Sequence, residues 1–119
     1  MKNCHTNENC PVDATLNLIG GKYKSLILWH LVEGTLRFGE LRKLIPNATP
    51  KMLTQQLREL EESNLITRTV YPVVPPKVEY NLSEFGKSIK PILDAMYQWG
   101  ENYLKNNGIQ PSCSMYYSK

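Results

Sequence analysis

With 119 residues, 41% of them hydrophobic and 21% charged, the chain has the make-up of one ordinary globular domain. Its longest apolar run, around Leu26 to Leu31, is far short of the ~20 residues that span a bilayer, and the N-terminal stretch MKNCHTNENCP lacks the apolar core of a secretory signal, which points to the cytoplasm. Net charge is only +3, so a charged partner would be recognised by where the charges sit rather than by their sum.

Residues 1–9 read as a polar tail, 10–107 as the domain and 108–119 as a second tail. Pro11 suits a first helical position, with Cys10 as the cap residue and Asp13 in the favourable first turn. Val12, Leu16 and Ile19 recur at helical spacing until Gly20-Gly21. A second helix is predicted from about Lys22 to Val32, with Ile27, Leu28 and Leu31 inward and a break at Glu33-Gly34. The third spans about Phe38 to Leu44, burying Phe38, Leu41 and Ile45, and Pro46-Asn47-Ala48 turns the chain. Thr49-Pro50 then reads as N-cap and first residue of a fourth helix that runs to about Ser63. Two helices joined by a short turn after another helix form a helix-turn-helix pattern.

After Asn64 the composition turns to β-branched and aromatic residues. Leu65 to Tyr71 and Lys77 to Leu82 read as two strands around the stiff tip Pro72-Val73-Val74-Pro75-Pro76, a hairpin in the position of a wing. Ser83 caps a last helix to about Asn106, with Glu84 in its first turn and Pro91 inside it, where a kink is expected. The fold class is therefore mainly α with a small β-hairpin.

On a 3.6-residue wheel the fourth helix separates into two faces. Leu53, Leu57 and Leu60 share a narrow arc that must meet the core. Lys51, Thr54, Gln55 and Arg58 lie opposite, on the N-terminal turns that enter the major groove in helix-turn-helix proteins. These residue types suit double-stranded DNA, because Arg and Lys pair with guanine edges or phosphate, Gln with adenine and Thr with either. Positive charge is concentrated nearby: Arg37, Arg42, Lys43, Lys51 and Arg58 face a single acid, Glu40, before Glu59, Glu61 and Glu62 arrive as the helix would leave the groove. Arg68 and Lys77 place further positive charge on the hairpin, where it can lie along neighbouring phosphates or the minor groove.

Phe85, Ile89, Ile92, Met96, Trp99 and Tyr103 are spaced as a heptad seam, and Val12, Leu16 and Ile19 give a second apolar stripe. Together the first and last helices are expected to build a homodimer interface. A two-fold dimer reads an inverted repeat.

Rival readings are weaker. His5 and His30 are the only histidines, and no acid, histidine and nucleophile arrangement stands out. An enzyme is therefore not expected. Cys4, His5 and Cys10 offer three ligand types without a fourth at regular spacing, so neither metal nor cofactor is expected. Three cysteines, Cys4, Cys10 and Cys113, are an odd number near the termini and read as free thiols. Cys10, at the positive end of a helix dipole, has the setting that favours thiolate and redox sensing; the alternative is an inert packing thiol. A winged helix serving only protein contacts stays open, with the basic outer face of the fourth helix against it.

Taken together, Cys10-Pro11-Val12, IGGKYKSLILWHL, RFGELRKLIP, MLTQQLRELEESNLITRTVYPVVPPKVEYNLSEFGKS and PILDAMYQWG resemble the HxlR-type winged-helix regulators of bacteria. The match covers about residues 10 to 100, and its most specific part is Met52 to Tyr80. Tyr23 stands where that family usually has Trp, and Phe85 where it often has Leu; neither touches the proposed DNA face. The resemblance implies a homodimer that binds DNA to repress or activate nearby genes, without catalysis. It also strengthens the sensing reading of Cys10, because several relatives use the cysteine of this CP motif against oxidants or electrophiles, while others keep it with no established sensing role.

Overall fold

A computed structural model describes residues 9–112. Six helices and one hairpin follow in the order α1 (Pro11–Ile19), α2 (Lys24–Leu31), α3 (Phe38–Leu44), α4 (Pro50–Glu62), β1 (Ile66–Tyr71), β2 (Lys77–Leu82), α5 (Glu84–Lys87) and α6 (Lys90–Asn106). This is a winged helix-turn-helix: α3, a turn and α4, then the hairpin as the wing. The core gathers Ile27 and Leu28 of α2, Leu41 of α3, Leu53, Leu57 and Leu60 of α4, and Leu65 and Ile66 at the start of the wing, all essentially sealed from solvent. Burying such side chains is worth roughly 1.5–3 kcal/mol each and fixes the helices against one another.

The ends of the elements follow from local chemistry. Thr49 caps α4, its hydroxyl accepting the Met52 backbone N–H at 3.1 Å, and Pro50 follows as expected. At the other end Asn64 adopts φ 64°, the left-handed region that Asn tolerates better than most residues. That lets the Leu65 N–H reach the Leu60 carbonyl and the Asn64 N–H reach the Glu61 carbonyl, both at 3.0 Å. These two bonds form a Schellman cap. The chain can then turn straight into β1, which pairs antiparallel with β2 from Ile66 opposite Leu82 to Tyr71 opposite Lys77. Leu36 adds a bridge to Tyr80, with mutual backbone bonds of 3.1 and 2.8 Å, so the wing is anchored to the segment before α3. Nothing in the local sequence signals that long-range bridge.

Two expectations need correction. The last helix is not continuous from Ser83: α5 ends at Lys87 and α6 begins at Lys90. Pro91 therefore occupies the first turn of α6, where its missing N–H costs nothing, instead of kinking a helix interior. The break sits where Gly86 presses on the Leu65 carbonyl; a Cβ there would lie 1.9 Å from that oxygen. Ile89, at the break, turns into the chain's own core (8% exposed), which removes it from the expected seam. α6 in fact carries two apolar stripes. Ile89, Leu93 and Tyr97 face inward, with Tyr97 stacked on Trp29 at 5.2 Å. Phe85 on α5 and Ile92, Met96, Trp99 and Tyr103 on α6 stay exposed, Trp99 by 73%. On α1, Ile19 is buried, but Val12 and Leu16 remain 65% and 55% exposed. Among the described residues, no helix is long and apolar enough to cross a membrane.

Candidate nucleic-acid interface

The wheel reading of α4 and the observed burial agree along its length. Leu53, Leu57 and Leu60 are buried, while Lys51, Thr54, Gln55 and Arg58 are exposed and line one shallow hollow with Glu59 and Glu62. Among the described residues, no ion pair engages Lys51 or Arg58. Their charges remain available to an external anion.

The wing contributes unequally. Arg68, exposed on β1 opposite Tyr80, lines a cleft of about 340 Å³ together with Thr54, Arg58 and Glu61 of α4. Two arginines and one acid, Glu61, thus line one hollow between helix and wing, whose formal charge is net positive. Lys77 is more occupied. Its ammonium lies 3.4 Å from a Glu79 carboxylate oxygen and 4.9 Å from the centre of the Tyr71 ring. Tyr71 in turn donates its hydroxyl to Glu79 at 3.1 Å, and that bond to a carboxylate pushes the phenol pKa up.

A second layer behind the outer face has no local signal in the sequence. Lys24 is the one charged residue buried among those described, and its ammonium meets Glu59 at 2.8 Å. A buried ammonium needs such a partner. Glu59 also accepts from the Gln55 side-chain amide at 3.3 Å. The Lys24 bond, then the Gln55 bond, hold the Glu59 carboxyl below its ordinary pKa. Gln56, one residue on, is spent inward: its Oε1 accepts the Tyr23 backbone N–H at 3.0 Å. Tyr23 reaches the turn of the helix-turn-helix, donating its hydroxyl to the Asn47 carbonyl at 3.0 Å.

Cys10 caps the start of α1 as expected, in extended conformation and without a side-chain cap bond, and it is only 4% exposed. The Cys4, His5 and Cys113 positions lie outside the described residues. His30 sits partly buried at the end of α2, and desolvation lowers its pKa.

Comparison with known proteins agrees with this architecture. Residues 18–108 match the family described as HxlR-like helix-turn-helix. The uncharacterized HTH-type transcriptional regulators YdeP and YtcD of Bacillus subtilis strain 168 are 55% and 57% identical to the chain, each over 96 residues. Those alignments cover 81% of this chain in both cases, and 75% of YdeP and 76% of YtcD. Among solved structures, the redox regulator HypR in its oxidized form superposes with a TM-score of 0.76 at 50% identity, over 78% of this chain and 96% of that one. With the family match spanning most of the chain and these relatives above half identity, the chain belongs to the HxlR-like helix-turn-helix family.

Proposed function

We propose that the protein is a DNA-binding transcription regulator that works as a homodimer on an inverted-repeat operator, without catalytic activity. α4 enters the major groove, with Lys51, Thr54, Gln55 and Arg58 on its DNA side, and Arg68 and Lys77 hold the wing to the flanking backbone. The observation that carries this reading is the split of α4. One arc is locked into the core by three leucines, and the opposite arc presents Lys51 and Arg58 outside any ion pair among the described residues, with Thr54 and Gln55 between them, beside the arginine cleft of the wing. The relatives' names as HTH-type transcriptional regulators support it. Exposed apolar residues at Val12 and Leu16, and at Phe85, Ile92, Met96, Trp99 and Tyr103, supply surface for the dimer to bury. The test is retention of duplexes from the organism's own genome, followed by affinity measurements at several salt concentrations. Gln55→Ala or Arg58→Ala should lose about 1–3 kcal/mol on the retained site and relax preference at one base position. Full affinity and selectivity in both variants would refute the placement of α4.

A regulatory reading attaches to Cys10. Its place at the head of α1, next to the exposed Val12 and Leu16, puts a thiol beside the surface assigned to the dimer. HypR, half identical to this chain, bears the name of redox regulator. Burial of Cys10 sets a condition: an oxidant reaches the sulfur only when the segment around it opens. On this reading operator affinity changes with a mild oxidant in the wild type and stays constant in Cys10→Ser. Oxidant-insensitive binding in both would leave Cys10 a packing residue and the DNA reading intact.

A further inference from the structure

The side chains behind α4 bear on which base it selects. Gln55 is exposed on the outer arc, yet its amide is not free to turn, because its Nε2 donates to Glu59 Oε2 at 3.3 Å. Glu59 is itself held from the other side, its Oε1 lying 2.8 Å from the ammonium of buried Lys24. The oxygen and nitrogen ends of an amide are distinguished by what they bond, and here the partner is a carboxyl whose pKa the Lys24 bond, then the Gln55 bond, hold below its ordinary value. A carboxylate has no proton to offer and can only accept. Gln55 must therefore turn its nitrogen toward Glu59. Its carbonyl oxygen and remaining N–H are left for whatever approaches the outer arc.

That choice matters in the major groove. Adenine presents a donor, N6–H₂, beside an acceptor, N7, and matches a carbonyl and N–H pair; guanine presents two acceptors, O6 and N7. A Gln free to flip can meet part of either pattern. One whose carbonyl is fixed outward faces guanine O6 with a second acceptor. We propose that Glu59, anchored by Lys24, is a positioning residue that fixes the amide of Gln55 so that this point of α4 selects adenine over guanine. The inference rests on the reading of α4 as the groove-entering helix.

The experiment uses the full-length protein and a pool of DNA duplexes with a randomised central stretch, sequenced after retention. Gln55→Ala identifies the base position that Gln55 reads, by loss of preference there. At that position the wild type should prefer adenine to guanine by about tenfold, within the range of a good bidentate contact. Glu59→Gln should move the preference toward guanine. Lys24 takes the carbonyl of the new amide, which leaves its nitrogen facing Gln55; Gln55 then flips and turns its own nitrogen to the groove. Lys24→Met breaks the same ion pair but keeps the carboxylate, so it should lower the melting temperature and retain adenine. Unchanged adenine preference in Glu59→Gln overturns the proposal. So does an equal shift in Lys24→Met, which would mark a structural effect. If Gln55→Ala alters no position, the groove assignment of Gln55 has failed, and the proposal falls with it.

Discussion

The unequal state of the two wing cations gives a quantitative test of how the wing meets DNA. Arg68 forms no ion pair among the described residues and shares its cleft with Arg58, whereas Lys77 is already engaged by Glu79 at 3.4 Å and by the Tyr71 ring. Each phosphate neutralised contributes about −0.9 to the slope of log affinity against log salt. If Arg68 neutralises one phosphate, Arg68→Ala should flatten the slope by about 0.9, so that a fourfold rise in salt costs the wild type about 3.5-fold more affinity than the variant. Lys77 must give up an exposed pair worth about 0.2–1 kcal/mol before it can serve DNA, and Lys77→Ala should flatten the slope less. Both should weaken cognate and unrelated duplexes alike, since phosphate contacts carry no sequence. Fluorescence anisotropy over a salt series measures all of this. An unchanged slope in Arg68→Ala, or a change confined to one base position, would refute backbone docking by the wing; a larger effect at Lys77 than at Arg68 would show that the Glu79 pair does not restrain it.

Two further outcomes test the assembly and the scaffold. Trp99→Glu places an unpaired charge in the surface assigned to the dimer, and should weaken association by about a hundredfold or more; sedimentation at a concentration where the wild type is dimeric checks it, and an unaffected dimer would exclude that face. Gly86→Ala sets a methyl group 1.9 Å from the Leu65 carbonyl oxygen, so it should cost about 3 kcal/mol or more in a denaturant titration, and a neutral result would mean that the α5 turn tolerates displacement.

What was legible in the sequence was whatever a short window contains. The start of α4 is written in Thr49-Pro50, its inner face in Leu53, Leu57 and Leu60, and the wing in two β-rich runs around a proline-rich tip, and each stands where the residues place it. Of the seam residues only Ile89 departs from the expected place, because two apolar stripes, Ile89-Leu93-Tyr97 and Ile92-Met96-Trp99-Tyr103, lie side by side at compatible spacings. Periodicity shows that a stripe exists but does not say which one meets the chain's own core. Trp29 decides that, by stacking on Tyr97. Pro91 reads as a kink inside one long helix but stands in the first turn of α6, because the chain breaks between Lys87 and Lys90, beside the close approach of Gly86 to the Leu65 carbonyl. The Lys24–Glu59 pair and the Leu36–Tyr80 bridge join segments far apart in sequence, which no window could reveal.

The junction after α4 gives a route by which geometry at the proposed dimer surface would reach the proposed DNA face. Asn64 and Leu65, directly after α4, are bound to Ser83 at the head of α5: the Ser83 hydroxyl donates to the Asn64 carbonyl at 2.6 Å, and its N–H donates to the Leu65 carbonyl at 3.0 Å. That hydroxyl also accepts the Gly86 N–H at 2.8 Å. The end of α4, the base of the wing and the turn leading into α6 are thus fastened within a few residues, with no slack loop between them. On the opposite side, Lys24 ties α2 to Glu59, and Tyr97 stacks α6 on Trp29 of α2. A rotation of α6 against its counterpart in a dimer would therefore carry α4 with it instead of being absorbed. If two recognition helices dock on half-sites about one helical turn apart, as in the proposed dimer, a rigid linkage of this kind would convert a small change at the α1 and α6 surfaces into a misfit at the operator. That is the physical reason to look for regulation at the proposed dimer face and at Cys10 beside it, and not within α4.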